Sequence, residues 1–208
     1  MAGKIKAVIF DLGNVLIDLD PRVSAEKLSG CANKSVGDIY GIFSRPQLIR
    51  PFEEGSIPPE EFFVQVKAAL CLEMGFEQFK DIWNGVFFFK PDNRRVYELI
   101  RRLYPNYIVA LLSNTNQLHF EYLRSEFPVF DHFHQILLSY ELGLVKPDPM
   151  IYRKTLSILR VDPTEAFYAD DRPEMIEAAG RIGIRAFVFK GYSQLLQDLA
   201  DCGVNSGR

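Results

Sequence analysis

Residues able to do chemistry occur at four separate points of this chain, each in the segment that follows a short apolar run. Asp11 follows the run A-V-I-F, and S-N-T-N at 113–116 follows I-V-A-L-L. Lys146 lies in the phrase G-L-V-K-P-D, and the acidic pair Asp170 and Asp171 follows A-F-Y-A. Together these groups supply a carboxylate nucleophile, hydroxyl and amide donors, an ammonium group and two acids that suit a hard divalent cation.

Each of these residues also has an ordinary structural explanation. Asp11 could end a strand or cap a turn, and residues 113–116 could cap the next helix. Lys146 before a proline could be a solvated loop residue, and acids before Pro173 could stabilise a helix N-terminus. Four independent caps are not expected to supply this complement in this order, so the set favours a functional site.

Alternating strand and helix patterns predict the fold that would position these residues. Buried strands are predicted at 7–10, 108–112, 134–138, 166–169 and 186–189, where the runs are short and rich in branched or aromatic residues. Helical patterns are found at 92–103, 116–126, 149–159 and 173–182. This alternation predicts an α/β fold, a Rossmann-like parallel sheet with helices on both faces. Because ligands collect at the carboxyl ends of such strands, we expect the polar residues to converge there.

The first crossover is far longer than a connection between parallel strands requires. Residues 18–90 contain several helical patterns, clearest at 59–72, and almost no strand signal. Breaks between these helices are predicted at Gly30, Pro46, residues 55–59 and Gly75. We therefore predict a core domain of residues 1–17 and 91–208, with an all-helical cap domain, 18–90, inserted after the first strand.

Composition and charge exclude several classes of function. The net charge is −3 and no block of basic residues occurs, which disfavours nucleic acid as a partner. The first residues, M-A-G-K-I-K, lack the apolar region of a signal peptide, and no apolar run approaches membrane-spanning length. Cys31, Cys71 and Cys202 are odd in number and widely spaced, which predicts free thiols in a reducing compartment. We expect a cytoplasmic protein that uses neither a membrane nor nucleic acid; the oligomeric state is not indicated.

Four phrases taken in order make the resemblance to a known family specific. F-D-L-G-N-V, L-L-S-N-T-N, L-G-L-V-K-P-D and Y-A-D-D-R-P-E resemble the four motifs of the haloacid dehalogenase-like hydrolase superfamily, and the helical insert resembles its cap. The first phrase is similar to a branch that includes sugar-phosphate phosphatases. The resemblance implies a Mg²⁺-dependent phosphatase that acts on a small-molecule phosphate monoester, such as a sugar phosphate.

The same resemblance implies a role for each matching residue. Asp11 would attack phosphorus and form an aspartyl-phosphate. Ser113 and the amide of Asn114 would hold phosphoryl oxygens at the start of the following helix, and Lys146 would offset the negative charge. The Mg²⁺ ligands would be Asp11, the backbone carbonyl of Gly13 and Asp171. Asp170 would be a neighbour of the metal or a further ligand.

Gly13 departs from the family pattern, in which a second Asp at this position shuttles a proton. The carbonyl of Gly13 remains, but its side-chain acid is missing, and general acid–base help is typically worth about 10²–10⁴-fold in rate. Asp18 and Asp20 are the nearest candidates to replace it, although they could equally be turn residues before Pro21. Gly13 itself could serve a tight loop with positive φ.

A second departure lies at Met175, where the family commonly has Asp or Asn to orient metal-bound waters. Glu174 is one position earlier and would need a shifted helix start to substitute. Two alternatives to the phosphatase therefore stay open. One is a dehalogenase in which Asp11 displaces halide from carbon; the other is a domain that binds a phosphorylated ligand or a protein without turnover.

Overall fold

The computed structural model describes residues 3–207, and its strands and helices alternate as the sequence predicts. The strands are β1 (Ala7–Phe10), β2 (Asp18–Leu19), β3 (Phe87–Phe88), β4 (Ile108–Ser113), β5 (Gln135–Leu138), β6 (Ala166–Asp170) and β7 (Arg185–Val188). The first helices are α1 (Pro21–Ser29), α2 (Val36–Phe43), α3 (Pro46–Glu53), α4 (Pro59–Leu70) and α5 (Phe76–Asn84). The later helices are α6 (Pro91–Leu103), α7 (Gln117–Glu126), α8 (Ser139–Leu142), α9 (Pro149–Leu159), α10 (Pro173–Arg181) and α11 (Tyr192–Asp201), and a 3₁₀ turn spans Pro163–Glu165.

Five strands form one parallel sheet in the order β5-β4-β1-β6-β7. The central strand is β1, and its last residue, Phe10, lies opposite Leu111 of β4 and Ala169 of β6. The residue that follows each strand therefore meets its neighbours at the same edge. The predicted α/β fold with a parallel sheet is confirmed.

Both faces of the sheet are covered, as near-continuous apolar strands require. Successive side chains of β1 enter opposite clusters: Val8 and Phe10 belong to the cluster that α6, α7 and α11 cover. Ala7 and Ile9 belong to the cluster that α9 and α10 cover. This alternation is the period-two geometry of a strand. It confirms the prediction of helices on both faces.

The insert after β1 packs around a hydrophobic cluster of its own, which is rich in aromatic rings. Phe52 of α3 stacks on Phe62 of α4 with ring centroids 4.2 Å apart, and Trp83 of α5 lies 5.0 Å from Phe62. The predicted breaks fall between these helices or, at Pro46 and Pro59, on the first residue of a helix. The insert is not wholly helical, because β2 and β3 pair antiparallel where the chain leaves the sheet and returns. The bounds 18–90 of a separate domain remain a prediction.

The helical insert contacts the sheet domain through an aromatic pair. Trp83 of α5 stacks on His119 of α7 with ring centroids 4.9 Å apart and planes at 14°. His119 Nε2 also lies 3.2 Å from the Trp83 carbonyl. Burial lowers the pKa of His119 to about 4, so the ring is neutral at ordinary pH. Leu118 extends the insert's cluster onto α7.

A second contact between the insert and the sheet domain requires glycine. Gly55, just after α3, has φ +68, and a Cβ built on it would lie 2.1 Å from the carbonyl oxygen of Tyr140 in α8. No flexible side-chain end can relieve this clash, because the opposing atom is backbone. Gly55 therefore fixes how closely the end of α3 approaches α8.

This approach predicts that Gly55→Ala destabilises the protein more than its backbone angle alone would. Gly143→Ala is the matched control, because Gly143 has the same φ of +68 and its Cβ would meet nothing within 4 Å. The left-handed backbone costs about 1–2 kcal/mol for alanine, and overpacking adds about 1–3 kcal/mol. Urea unfolding of both variants should show the extra loss only in Gly55→Ala. Equal losses would mean that the contact with Tyr140 is loose in solution.

Two findings bear on the environment expected from composition. The three cysteines are free, as predicted: Cys31 and Cys71 are exposed and Cys202 is partly buried. Within residues 3–207, no helix combines the length and the apolar character needed to cross a membrane.

Candidate active site

The ends of three adjacent strands bring the predicted residues to one edge of the sheet. Asp11 directly follows β1, and its N–H donates to the carbonyl of Ala169 in β6 over 2.9 Å. Ser113 is the last residue of β4, and Asp170 is the last residue of β6. All three polar side chains are buried, with at most 7% of each residue exposed. The parallel register thus assembles the group that the sequence places far apart.

Lys146 reaches this edge from the loop before α9 and is itself buried. Its Nζ donates to Asp11 Oδ1 over 2.8 Å, to Asp170 Oδ2 over 2.7 Å and to the Leu112 carbonyl over 3.1 Å. Asn114 holds the loop in place, since its Nδ2 donates to the Lys146 carbonyl and its Oδ1 accepts from the Lys146 N–H. The ammonium is therefore fixed between the two carboxylates.

Burial and charge act against each other in this group. Burial, with the neighbouring charge of Asp170, raises the pKa of Asp11 to about 6, although Lys146 opposes the shift. Burial alone would lower the pKa of Lys146, but the charges of Asp11 and Asp170 and their hydrogen bonds outweigh it. The lysine is thus cationic, and it offsets only part of the negative charge gathered around it.

Three acids at this edge fit a divalent cation. One oxygen from each of Asp11, Asp170 and Asp171 lies within 4.8 Å of the others. Closely spaced carboxylates repel one another, so a bound cation would stabilise them. Mg²⁺ prefers hard oxygen ligands of this kind. Asn14 Nδ2 donates to Asp171 Oδ2 over 2.9 Å and orients that carboxylate. The donor set is therefore suited to Mg²⁺.

Asp170 is the most heavily hydrogen-bonded of the three acids. Its Oδ2 accepts from Lys146 and from the hydroxyl of Tyr168, and its Oδ1 accepts from the Arg172 N–H over 3.0 Å. The oxygens of Asp11 and Asp171 accept fewer hydrogen bonds, so they are freer to bind a cation. Asp170 instead lies behind Lys146 and fixes the position of its ammonium.

The structure corrects the prediction of a positive φ at Gly13. In this loop the positive φ, 55°, belongs to Asn14. A Cβ on Gly13 would lie 3.0 Å from Leu19 Cδ2, so the glycine makes room for a side chain at the base of the insert. The turn is closed by hydrogen bonds from Asn14 N to Ile17 O and from Ile17 N to Leu12 O. Neither bond uses the Gly13 carbonyl.

Asp18 and Asp20 do not reach the site, contrary to the suggestion that either could supply the missing acid. Asp18 Oδ1 accepts from Lys90 Nζ over 2.8 Å, and Asp20 caps α1 by accepting from the Arg22 N–H over 3.0 Å. Neither lines the cavity that contains Asp11. The alternative interpretation, turn residues before Pro21, is not what the structure shows either: Asp18 lies in β2, and Asp20 is the N-cap of α1.

The second departure from the family pattern is also accounted for by packing. Met175 is 1% exposed, packs in the cluster under α9 and α10, and lines the cavity beside Asp171. Glu174 does not replace it, since its carboxylate pairs with Arg172 at the surface and α10 begins at Pro173 without a shift. Met175 therefore presents an apolar side chain beside Asp171, where the family pattern has an acid or an amide.

Three residues in or against the site were not identified from the sequence: Asn14 and Glu53 line the cavity, and Tyr168 is buried beneath it in contact with Lys146 and Asp170. Tyr168 lies two positions before Asp170 in β6, and the period-two geometry of a strand could have placed both side chains on one face. Asn14 was harder to identify. It is close to Asp11 in the sequence, but its side chain contacts Asp171, which is far away in the sequence. Glu53, at the end of α3, also lines the cavity and carries no local signal at all.

The catalytic cavity continues into a second cavity of about 200 Å³ under the insert. The two share Gly13, Leu19, Glu53, Ser113 and Asn114. Apolar side chains that line the second cavity include Phe43, Ile49, Trp83, Val86 and Phe87. The cavity that contains Asp11 therefore opens into a largely apolar space beneath the insert.

Comparison with known proteins places this geometry in a family. A family model for haloacid dehalogenase-like hydrolases matches residues 5–183. D-ribitol-5-phosphate phosphatase of Bacteroides thetaiotaomicron is 29% identical over 189 residues, which is 88% of this chain and 91% of the relative. Sesquiterpene phosphatase astK of Aspergillus oryzae is 28% identical over 185 residues, 88% of this chain and 89% of the relative.

A solved structure agrees over nearly the whole chain. It is a haloacid dehalogenase family enzyme from Bacteroides thetaiotaomicron in complex with magnesium and inorganic phosphate. The match has a TM-score of 0.82 at 28% identity and covers 92% of this chain and 98% of that one. The family match covers most of the chain, and the fold agrees with that of the solved structure. The chain therefore belongs to the haloacid dehalogenase-like hydrolases.

Proposed function

We propose that this hydrolase is a Mg²⁺-dependent phosphatase that cleaves a small phosphate monoester through an aspartyl-phosphate on Asp11. The observation that carries the proposal is the buried contact of Lys146 Nζ with both Asp11 and Asp170, beside Ser113. Such a group suits attack on an anionic phosphoryl centre, because it brings a nucleophile and a fixed positive charge together. The phosphatase activities of the two curated relatives support the same reaction.

The reaction divides into two displacements at phosphorus. In the first, a carboxylate oxygen of Asp11 forms a bond to phosphorus while the bond to the ester oxygen breaks and that oxygen takes up a proton. In the second, water attacks the aspartyl-phosphate, loses a proton and releases inorganic phosphate, which regenerates Asp11. Lys146 Nζ lies 2.8 Å from Asp11 Oδ1, where its charge would reduce the repulsion between carboxylate and phosphate.

Two groups of β4 and the loop after it would hold the phosphoryl oxygens. The Ser113 hydroxyl makes only a long contact, 3.4 Å, with the Asn114 carbonyl, so it can turn toward a ligand. The Asn114 side chain is occupied with Lys146, and its backbone N–H is the group proposed to bind phosphate. Asn114 would therefore act twice, once on the substrate and once on the lysine.

The acids at the strand ends would hold Mg²⁺. Asp11 and Asp171 would supply side-chain oxygens and Gly13 its carbonyl, with Asp170 behind them. Bound there, Mg²⁺ would neutralise charge on the phosphoryl group and help to align it with Asp11.

The insert would act as a cap that sets the size of the substrate. We propose residues 18–90 as this cap over a core of residues 1–17 and 91–208. The cavity of about 200 Å³ beneath it fits a small leaving group. A sugar phosphate is the class that the first motif suggests, and the relative D-ribitol-5-phosphate phosphatase adds polyol phosphates to it. Because sesquiterpene phosphatase astK is also a relative, phosphate esters with an apolar leaving group should be compared with sugar phosphates.

A panel of monoesters tests this proposal. Inorganic phosphate release should require Mg²⁺ and fall to the uncatalysed level with excess EDTA, because the acid cluster would then lack its cation. The panel should contain polyol and sugar phosphates together with alkyl phosphates of the same length, so that the preferred leaving group is measured directly. Incubation with a 2-haloacid is the control for the dehalogenase alternative.

Two results would contradict the proposal. Halide release that persists in EDTA, with no phosphate release, would assign the site to displacement at carbon. Thermal stabilisation by phosphate esters without turnover would assign it to binding alone.

A further inference from the structure

The proposed phosphatase needs a proton donor for the leaving oxygen, and no residue discussed so far supplies one. Gly13 has no side chain, and Asp18 and Asp20 are held outside the cavity by Lys90 and the start of α1. Lys146 is committed to Asp11 and Asp170. The donor must therefore come from another element that lines the cavity.

Glu53 is the acid that faces the cavity from the cap side. It is the last residue of α3, is partly buried, and lines both the catalytic cavity and the cavity beneath the cap. A leaving group that extends from the phosphoryl position into the second cavity must pass the boundary that the two share. Glu53 lies on that boundary, which is where the ester oxygen would be.

The Glu53 carboxylate is free to act. Within residues 3–207 no side chain forms a hydrogen bond or an ion pair with it. The next residue, Glu54, is engaged instead, since it accepts from Arg50 Nε over 2.7 Å, and it lines neither cavity. Two adjacent glutamates thus have different surroundings, one in the cavity and one in a surface ion pair.

The end of α3 is also held firmly enough to position an acid. Gly55 lies two residues after Glu53 and approaches the Tyr140 carbonyl more closely than any other residue type could. The N–H groups of Gly55 and Ser56 donate to the carbonyls of Phe52 and Pro51, which closes the turn. Glu53 is therefore held against the core by the segment that follows it.

We infer that the Glu53 carboxyl group is the general acid that protonates the leaving oxygen and, as carboxylate, the general base that then takes the proton from attacking water. The inference rests on the proposed phosphatase function and assigns the proton transfers of that reaction. In the first displacement the proton moves from Glu53 to the ester oxygen as the bond to phosphorus breaks. In the second it returns from water to Glu53, so the enzyme ends as it began.

The electrostatic surroundings of Glu53 suit a group that must first donate and then accept a proton. Burial raises its pKa to about 6, against the charges of Arg172 and Lys146 on the core side, while the charge of Glu54 adds to the shift. A pKa near the working pH lets one carboxyl group donate and then accept within a cycle. In the family pattern the same role belongs to an acid at position 13, and Gly13 also lies on the boundary that the two cavities share.

A comparison of leaving groups tests the inference. Glu53→Gln should lower kcat/KM for an alkyl phosphate by about 10²–10⁴-fold, because its alkoxide cannot leave without a proton. The same variant should keep kcat/KM for p-nitrophenyl phosphate within about tenfold of wild type, since nitrophenolate leaves unprotonated. With that ester it should also release a rapid burst of nitrophenolate and then turn over slowly, because hydrolysis of the aspartyl-phosphate still lacks its base.

Glu54→Gln is the matched control. It makes the same change one position away, outside the cavity, and should change kcat/KM for either ester by less than about threefold, because the charge of Glu54 is the smallest contribution to the Glu53 pKa. Thermal unfolding of both variants checks that the cap still folds. An equal loss for both esters, or no loss for either, would overturn the assignment to Glu53. Inactivity of the wild type toward both esters would instead contradict the phosphatase itself.

Discussion

Asp11→Asn is expected to lower the rate of phosphate release by at least about 10⁴-fold, because deleting a covalent nucleophile typically has an effect of this order. The amide has the shape of the carboxylate but neither its charge nor its nucleophilicity. Lys146 keeps its contact with Asp170, so the rest of the site should stay in place. Because burial raises the pKa of Asp11, the ionised carboxylate is unfavourable in the folded protein, and the variant should be at least as heat-stable as wild type.

Phosphate release and thermal midpoint, measured on the same preparation, check both parts of this prediction. Asp18→Asn provides the control, since it is the same chemical change at a residue that pairs with Lys90 outside the cavity. Asp18→Asn should keep its activity with alkyl and aryl esters alike. Substantial turnover by Asp11→Asn would mean that another group attacks phosphorus or that water does so directly.

The fold could be predicted because its signals are local. Strands such as β1 and β4 are continuous apolar runs, and α9 and α10 begin at prolines that mark helix starts. The strand pair β2 and β3 has two residues in each strand, too few for a periodic pattern. The α11 helix starts after Gly191 without a side-chain cap, so it lacks the usual start signal.

The part of the site at the strand ends could be predicted from the fold. Asp11, Ser113 and Asp170 share an edge because parallel strands must align their carboxyl ends, and that follows from the fold. The position of Glu53 depends instead on how the cap packs against the core. The contacts that fix this packing are those of Gly55 with Tyr140 and of Trp83 with His119.

Asp18 and Asp20 illustrate the converse. They are near Asp11 in sequence, and the chain carries them away into the base of the cap. Nearness along the chain was thus a poor guide to the proton donor, and the glutamate that lines the cavity follows Asp11 by more than forty residues.

Lys146→Met is expected to impair both stability and activity, because it leaves two buried carboxylates without their shared cation. Breaking a buried ion pair by removing one partner typically costs about 3–5 kcal/mol. Urea unfolding in EDTA should show a loss of this size. Phosphate release should fall by at least about 10²-fold, since a fixed charge beside the phosphoryl group is lost. Lys90→Met is the control: its ion pair with Asp18 is largely exposed on the lysine side, and such pairs contribute about 0–1 kcal/mol.

The pH dependence of this loss identifies its cause. The pKa of Asp11 is raised in the folded wild type, from 3.8 to about 6, even with Lys146 present. Removing the lysine raises it further, and a carboxyl whose folded pKa exceeds its unfolded value stabilises at low pH and loses that contribution as the pH rises. The stability deficit of Lys146→Met should therefore be small near pH 4 and grow through pH 6. A second change, Asp170→Asn, should recover part of the deficit at high pH. A deficit that is independent of pH would point to lost packing around the lysine stem, and the ammonium would then be a minor contributor to the fold.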